Sequence, residues 1–112
     1  MIEGITNTEL EKKIRCFLSA LMKDTIPLPS IDSGYDDVVV TMWTGNSLEL
    51  NVWFDIDDIE VHSFSIAGES PTVHVKEYAI DTKPEELLMY LKPKLQKMGI
   101  MKGDKYNPPL SL

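Results

Sequence analysis

The sequence predicts an α+β protein in which an N-terminal and a C-terminal helix lie on one face of a four-stranded antiparallel meander, in the order α-ββββ-α. Apolar residues recur at helical spacing near both ends of the chain, which indicates two amphipathic helices. Between them, Leu48 to Ile56 alternates apolar and polar residues, which is typical of a strand with one buried face. The predicted strands are joined by turns too short for a crossover, so neighbouring strands run antiparallel. The chain of 112 residues has the size of one domain, residues 1–112.

The first helix is predicted to begin between Thr6 and Thr8, where two Thr–Glu pairs stand at capping-box spacing. One apolar stripe then follows at helical spacing, formed by Leu10, Ile14, Phe17, Leu18 and Leu21. Cys16 falls off this stripe, so we expect it to be partly exposed. Residues 24–34 are rich in Pro, Ser and Gly, and they predict an extended connector.

Four strands are predicted at residues 35–44, 48–56, 59–67 and 72–80. A three-residue turn from Gly45 to Ser47 would place Met42 opposite Leu50 and turn both toward the core. In the last two strands, a register in which Ala67 opposes Thr72 places Phe64, Ile66, Val73 and Val75 in the core and puts Glu77 on the same side, near the margin of the sheet. The opposite face of the sheet is then predicted to carry Val39, Thr41, Trp43, Asn51, Trp53, Ser63, Ser65, Thr72, His74, Lys76 and Tyr78.

The second helix is predicted to begin at Thr82, with Pro84 in its first turn, and to end near Gly99. Pro93 is expected to kink this helix or to end its first part. Its buried stripe is predicted to be Leu87, Leu88, Leu91, Leu95 and Met98. Residues 100–112 contain two adjacent prolines and predict an irregular tail.

Composition and charge exclude several classes of function. Eleven Lys and Arg against 18 Asp and Glu give a net charge of −7, which repels a phosphate backbone, so direct nucleic-acid binding is not expected. The single cysteine excludes a disulfide within the chain and a cysteine-rich zinc site. There is no apolar run of transmembrane length and no signal-peptide pattern at the start, so we expect a cytoplasmic protein without a membrane partner.

Acidic residues are predicted to gather at one end of the domain. In a meander, the start of the first strand, the second turn and the exit of the fourth strand meet at the same end. That end would carry Asp36, Asp37, Asp55, Asp57, Asp58, Glu60 and Asp81, followed directly by Glu85 and Glu86. Such a cluster creates a directed negative field that attracts a basic partner. The alternative is a solvated rim, because turns favour Asp and helix N-termini favour Glu.

No catalytic or metal-binding pattern is found. The segment from Asp55 to Glu60 resembles the start of a calcium loop, but it has Ile59 at a ligand position and lacks the glycine and the final glutamate. His62 and His74 are predicted on opposite faces, so they would not share a metal. No histidine can be placed beside Cys16, and no phosphate-binding glycine loop is present. We therefore predict no catalytic residues, no cofactor and no metal.

These observations predict a non-enzymatic protein-binding module, an inhibitor or an adaptor that docks on a basic surface of a partner protein. The predicted binding residues are the acidic group Asp36, Asp37, Asp55, Asp57, Asp58, Glu60 and Asp81, together with Trp43, Trp53, His74 and Tyr78. The alternative is a small-molecule or peptide site on the outer face of the sheet, formed by the last four residues. A further alternative is that the connector or the tail covers these rings as a second small core.

Self-association is also predicted. Both edges of the predicted sheet, the strands at 72–80 and 35–44, would have unpaired backbone groups, with Lys76 as the one protecting charge within the strand at 72–80. The strand at 35–44 is less protected, because residues 38–40 are all valine and no Lys or Pro lies within it. A C₂ homodimer through this edge or through the tryptophan face is therefore expected. The alternative is a monomer in which the connector or the tail covers the edge.

Overall fold

The computed structural model describes residues 8–35, 38–65 and 71–101, and side-chain positions for all of these except residues 33–35. Thr6, Asp36, Asp37, the predicted turn around Gly68 and residues 102–112 of the predicted tail lie outside the described residues. The elements are α1 (Thr8–Lys23), β1 (Ser30–Tyr35), β2 (Val38–Gly45), β3 (Leu48–Phe54), β4 (Asp58–Ser65), β5 (Thr72–Ala79) and α2 (Pro84–Lys97). All five strands form one antiparallel sheet in the order β1-β2-β3-β4-β5. The predicted α+β meander with terminal helices is confirmed, and the sheet has one more strand than predicted.

The additional strand, β1, comes from the second half of the predicted connector. Ser30 pairs with Met42, and Asp32 pairs with Val40, so β1 forms the edge next to β2. Pro27 and Pro29 precede the strand, where their missing N–H groups remove no ladder hydrogen bond. The prediction that residues 35–44 form a sheet edge is wrong, because β1 covers that side of β2.

The β2–β3 hairpin turns through two residues instead of the predicted three. Asn46 and Ser47 have φ of 47° and 61°, and Gly45 pairs with Leu48. Two residues with positive φ are typical of a type I′ turn, whose twist matches that of the flanking strands. Shortening the turn by one residue shifts the register by one, and this moves every β2 side chain to the other face.

The register of β2 therefore reverses part of the prediction. Val39, Thr41 and Trp43 pair with Phe54, Val52 and Leu50, and all six side chains are buried under the helices. The prediction that Val39, Thr41 and Trp43 lie on the outer face is wrong.

The register of β4 and β5 gives a second correction. Phe54 pairs with Ile59 and Val52 with Val61, so Ile59 and Val61 are the β4 residues in the core. Phe64, Val73 and Val75 lie on the opposite face, because Phe64 pairs with Val73 and Val75 pairs with His62. The predicted core positions of these three residues are therefore wrong. Ser63, Ser65, Thr72, His74, Lys76 and Tyr78, predicted on the outer face, lie on the helix side.

Both helices pack on one face of the sheet. In α1, the Phe17 ring lies 6.5 Å from the Trp43 ring and 5.1 Å from the Phe54 ring, measured between centroids. In α2, the Tyr90 ring lies 6.2 Å from the ring of Tyr78 on β5. The buried hydrophobic cluster comprises Leu10, Ile14, Phe17, Leu21, Ile26, Val39, Trp43, Leu50, Val52, Phe54, Ile59, Val61, Leu87, Leu88, Leu91, Leu95 and Met98.

The two helices follow the predicted stripes but differ in their details. Thr82 is not the cap of α2, because Lys83 occupies the N-cap position and Pro84 the first helical position. Pro93 lies within α2 without ending it, and the chain leaves the helix at Gly99, whose φ is 76°. Neither helix of the described ranges is long and apolar enough to cross a membrane.

Candidate functional site

The four predicted aromatic and histidine residues do not form one surface. Trp53 lies on the outer face, the side of the sheet away from α1 and α2, and is 37% exposed. Trp43 is 4% exposed, and its indole Nε1 donates a hydrogen bond of 2.8 Å to the Pro27 carbonyl oxygen. Tyr78 lies on the helix side, where burial, followed by the charges of Tyr90 and Glu86, raises the pKa of its hydroxyl.

His74 lies on the helix side of β5 and is exposed. His62 lies on the outer face, so the prediction that the two histidines face opposite sides is confirmed. Of the predicted group, only Trp53 remains on the outer face, and the predicted aromatic site of four residues is not formed.

The outer face instead brings together side chains that the predicted register had separated. The His62 ring stacks on the Trp53 ring, with centroids 5.0 Å apart and an interplanar angle of 20°. Nε2 of His62 lies 2.9 Å from Oε1 of Glu60, which fixes the orientation of the imidazole. Val73 and Val75 on the neighbouring strand are 57% and 50% exposed. The outer face therefore presents an ordered aromatic pair beside exposed aliphatic side chains.

A carboxylate trio, Asp58, Glu60 and Glu77, lies on the same face. Glu60 and Glu77 are directly opposite each other on β4 and β5, and the oxygens of all three side chains lie within 4.8 Å of one another. The pKa of Glu77 is raised above its ordinary value of 4.5, first by a hydrogen bond to Asp58 and by the charge of Asp58, then by desolvation and by the charge of Glu60. Three carboxylates could ligate a divalent cation. No fourth His, Cys, Asp or Glu of the described ranges joins them.

Glu77 and His62 were not predicted as site residues. The periodicity of β4 could have predicted that both residues lie on the outer face. Glu60, His62 and Phe64 alternate with the core residues of β4, and Glu60 pairs with Glu77 on β5. This periodicity was misinterpreted because both strands were assigned to the wrong faces.

The acidic end that the topology predicts is present in its described part. Asp58 pairs with Ala79, so the β3–β4 turn and the exit of β5, followed by Asp81, lie at one end of the sheet. Asp55 also has a structural role, because its Oδ1 accepts a 2.6 Å hydrogen bond from the backbone N–H of Ile56. The predicted binding residues Asp36 and Asp37 lie outside the described residues.

Charge is divided unequally between the two sides of the sheet. Among the described residues, the outer face carries no Lys or Arg and five carboxylates: Asp32, Glu49, Asp58, Glu60 and Glu77. The basic residues of the same ranges lie in the helices, in the β5–α2 connection or on the helix side of β5: Lys12, Lys13, Arg15, Lys23, Lys76, Lys83, Lys92, Lys94 and Lys97. Several of them have local partners, such as Asp24, which lies 2.8 Å from Lys92.

Three cavities lined by residues of the described ranges do not favour a small-molecule site. One, of about 110 Å³, reaches Phe17, Phe54 and Ile59, but it is smaller than the roughly 300 Å³ of the smallest typical ligand pockets. A second, of about 230 Å³, is also below that size. A third, of about 380 Å³, is bordered largely by polar and charged side chains of α1 and by Glu85. The exposed Cys16 lies beside the first and third cavities.

No protein-family model, curated protein or solved structure matches this chain. The functional interpretation therefore rests on the physical chemistry of the outer face and of the acidic end that adjoins it.

Proposed function

We propose that this chain is a non-enzymatic, cytoplasmic protein-binding module, an inhibitor or an adaptor, that docks its outer face on a basic surface of a partner protein. One observation carries the proposal: the described outer face combines five carboxylates with exposed apolar side chains and has no Lys or Arg. Carboxylates attract a cationic surface over distances of about 8 Å in physiological salt. The apolar side chains supply area that is buried once contact is made.

The apolar part of the proposed contact centres on Trp53. Tryptophan is among the residues that contribute most to binding free energy, especially where it lies near the middle of a contact surface. The stack on His62, and the contact between His62 and Glu60, hold the indole in one orientation. A side chain that is already ordered loses less conformational entropy on binding. Trp53 is therefore the residue expected to anchor a partner.

The electrostatic part centres on the carboxylate trio. The hydrogen bond to Asp58, the charge of Asp58, desolvation and the charge of Glu60 raise the pKa of Glu77. A Lys or Arg of the partner placed against the trio would reduce the repulsion among the three carboxylates. A cation favours the ionised form of Glu77, so binding would release any proton that Glu77 holds. The affinity is thus expected to rise with pH across the range in which Glu77 ionises.

Nucleic acid is not expected to bind the outer face directly, because its carboxylates repel phosphates. If the partner's basic surface normally holds nucleic acid, the module would compete for it. The small-molecule alternative is less favoured, because Trp43 and Tyr78 lie on the other side of the sheet from Trp53.

Two matched charge variants test the proposal. Asp58→Asn, Glu60→Gln and Glu77→Gln together neutralise the trio, whereas Glu9→Gln, Glu11→Gln and Asp24→Asn neutralise three carboxylates in α1 and directly after it. Each triple variant changes the net charge from −7 to −4. A partner is captured from lysate at low salt and identified, and its association and dissociation rates are measured with each variant.

We expect the trio variant to slow association about tenfold and the helix variant to change it about twofold or less. Trp53→Ala is expected to speed dissociation at least about tenfold. Affinity for the partner should fall as salt is raised. The proposal is wrong if the affinity does not depend on salt, or if the two triple variants slow association equally.

A further inference from the structure

The free edge of β5 is regular and open. Its eight residues, Thr72–Ala79, pair with β4 in an unbroken register, and no other described strand pairs with the far side of β5. Every residue of the strand except Tyr78 is exposed. The far side therefore presents a row of backbone donors and acceptors that another strand can complete.

The opposite edge, β1, has an irregularity that hinders such pairing. Its register shifts between Ser33 and Tyr35. Such a shift bends an edge strand away from a partner. β5 pairs with β4 without a shift, and proline does not distinguish the two edges, because Pro71 precedes β5 as Pro29 precedes β1. Of the two edges, β5 is therefore the more regular template for another strand.

The distribution of charge indicates that this strand comes from a second copy of the chain. A copy with a net charge of −7 is repelled by the carboxylates of the outer face, so packing of two outer faces against each other is unfavourable. β5 carries one cation, Lys76, and one anion, Glu77, so its charges cancel. A second copy can approach this edge with the least repulsion.

We propose that two copies pair antiparallel through β5, around a two-fold axis at His74, to form one continuous sheet. An axis perpendicular to the sheet keeps each residue on its own face, so outer-face residues meet outer-face residues. Registers centred on Lys76 or Glu77 would set like charges against each other. The register centred on His74 places Val73 opposite the second copy's Val75 on both sides of the axis.

This register buries apolar side chains that are otherwise half exposed. Val73 and Val75 are 57% and 50% exposed in one copy, and β-branched residues directly opposite each other stabilise a strand pair. A register centred on Val75 would instead set Val73 against Glu77. The proposed dimer also joins the two outer faces on one side of a single sheet. A partner with two basic sites would then bind it bivalently.

Sedimentation of the purified full chain at increasing concentration tests the pairing. We expect the wild type to reach the mass of two chains, and Val75→Lys to weaken dimerisation at least about tenfold, because it sets a lysine against the second copy's Val73 on both sides of the axis and removes both valine–valine contacts. Ile31→Lys on β1, also at an exposed position of an edge strand, is the matched control and should behave as the wild type. Thermal unfolding by circular dichroism verifies that each variant folds. A wild type that keeps the mass of one chain at every concentration overturns the proposal, as does a dimer that Val75→Lys leaves unchanged.

A cross-linking experiment tests the register. In a Cys16→Ser background, His74→Cys places two thiols opposite each other at the axis, within reach of a disulfide. In Val73→Cys the two thiols are not opposite each other, because residue 73 of each copy faces residue 75 of the other. Their Cα atoms are more than about 7 Å apart, which is beyond the reach of a disulfide. Oxidation is expected to link the first variant into a covalent dimer and to leave the second unlinked. The reverse result overturns the proposed register. Neither experiment needs the basic partner, so both are independent of the proposed function.

Discussion

The two faces of the sheet are built from alternating residues of the same strands, yet they differ in composition. On β3, Val52 faces the helices with no exposed surface, whereas its neighbour Trp53 faces outward and is 37% exposed. The helix side holds aliphatic and aromatic side chains in one continuous core, and the outer face holds carboxylates around Trp53 and two exposed valines. We therefore expect the stability of the fold to depend mainly on the helix side and the proposed binding on the outer face, so that substitutions on each side have separable effects.

The two tryptophans show the same difference for a single residue type. Trp43 lies edge-on to Phe17 in the core, and its polar nitrogen is satisfied by a backbone carbonyl. Trp53 stacks on the His62 ring and is 37% exposed. The first ring contributes to folding, whereas the second is available for contact.

The largest expected effect comes from removing the aromatic contact at the centre of the helix side. Phe17→Ala deletes a ring that is 1% exposed and contacts both Trp43 and Phe54, so we expect a loss of about 3–5 kcal/mol in the free energy of unfolding. Trp53→Ala on the outer face should cost about 1 kcal/mol or less. Urea unfolding measures both. Equal losses would contradict the division between the two faces.

Substitution of each tryptophan by phenylalanine gives a smaller but more specific difference. Trp43→Phe removes the hydrogen bond to Pro27 and is expected to cost about 1–3 kcal/mol. Trp53→Phe should change the stability by about 0.5 kcal/mol or less.

The same two variants leave one fluorescent indole each. Acrylamide should quench the protein that retains Trp53 several-fold more strongly than the one that retains Trp43, because only Trp53 is exposed. Similar quenching of the two proteins would show that Trp53 is covered in solution.

A third prediction concerns the turn that decides which residues reach each face. Ser47 adopts φ of 61°, which is strained for a residue with a side chain. Glycine removes that strain from the folded state. It also gives the unfolded chain more conformational entropy, which offsets part of the gain, so Ser47→Gly should stabilise the fold by about 0.5–1 kcal/mol. Urea unfolding measures the change. A destabilised variant would contradict the two-residue turn and the register that follows from it.

The fold was predictable where one periodicity dominated. The stripes of α1 and α2 and the alternation of β3 left a single amphipathic interpretation, and all three elements form with the predicted buried faces, although β3 ends two residues early and α2 begins at Pro84. In β2, residues 38–40 are three consecutive valines, so both faces are apolar and the pattern could not choose between registers. The register of β2 depended on whether the turn after it has two or three residues. Counting Gly45 as a turn residue shifts the register by one and sends every β2 side chain to the wrong face.

The candidate site was predictable only as far as topology alone determined it. The meander places the β3–β4 turn and the exit of β5 at one end, whatever the register, so Asp57, Asp58 and Asp81 were correctly located there. Which carboxylates share a face depends on the register, so the proximity of Glu77 to Asp58 was missed. β5 offered no guidance, because both faces of this edge strand mix apolar and polar residues.

The smallest expected effect, and the one most specific to the outer face, is the pH dependence caused by Glu77. Its pKa is above 4.5 in the folded protein, through the hydrogen bond and charge of Asp58, desolvation and the charge of Glu60, and it returns to its ordinary value on unfolding. Between these two values the folded state holds more protons than the unfolded state, so stability falls as the pH rises through this interval. This loss of stability is absent when the pH is below the ordinary pKa, and it is complete when the pH is above the raised pKa.

Glu77→Gln removes the charge responsible for this penalty and keeps a side chain that can hydrogen-bond to Asp58. We expect the variant to be more stable than the wild type at neutral pH and to lose that advantage below pH 4.5. Glu49→Gln is the matched control. Glu49 lies on the same face as Glu77 but at the end of the sheet away from the trio, and it pairs with Phe64 and not with another carboxylate. Urea midpoints measured across this pH range give the comparison. If the two variants show the same pH dependence, the trio is not the source of the repulsion, and the outer face would attract a partner by its net charge alone.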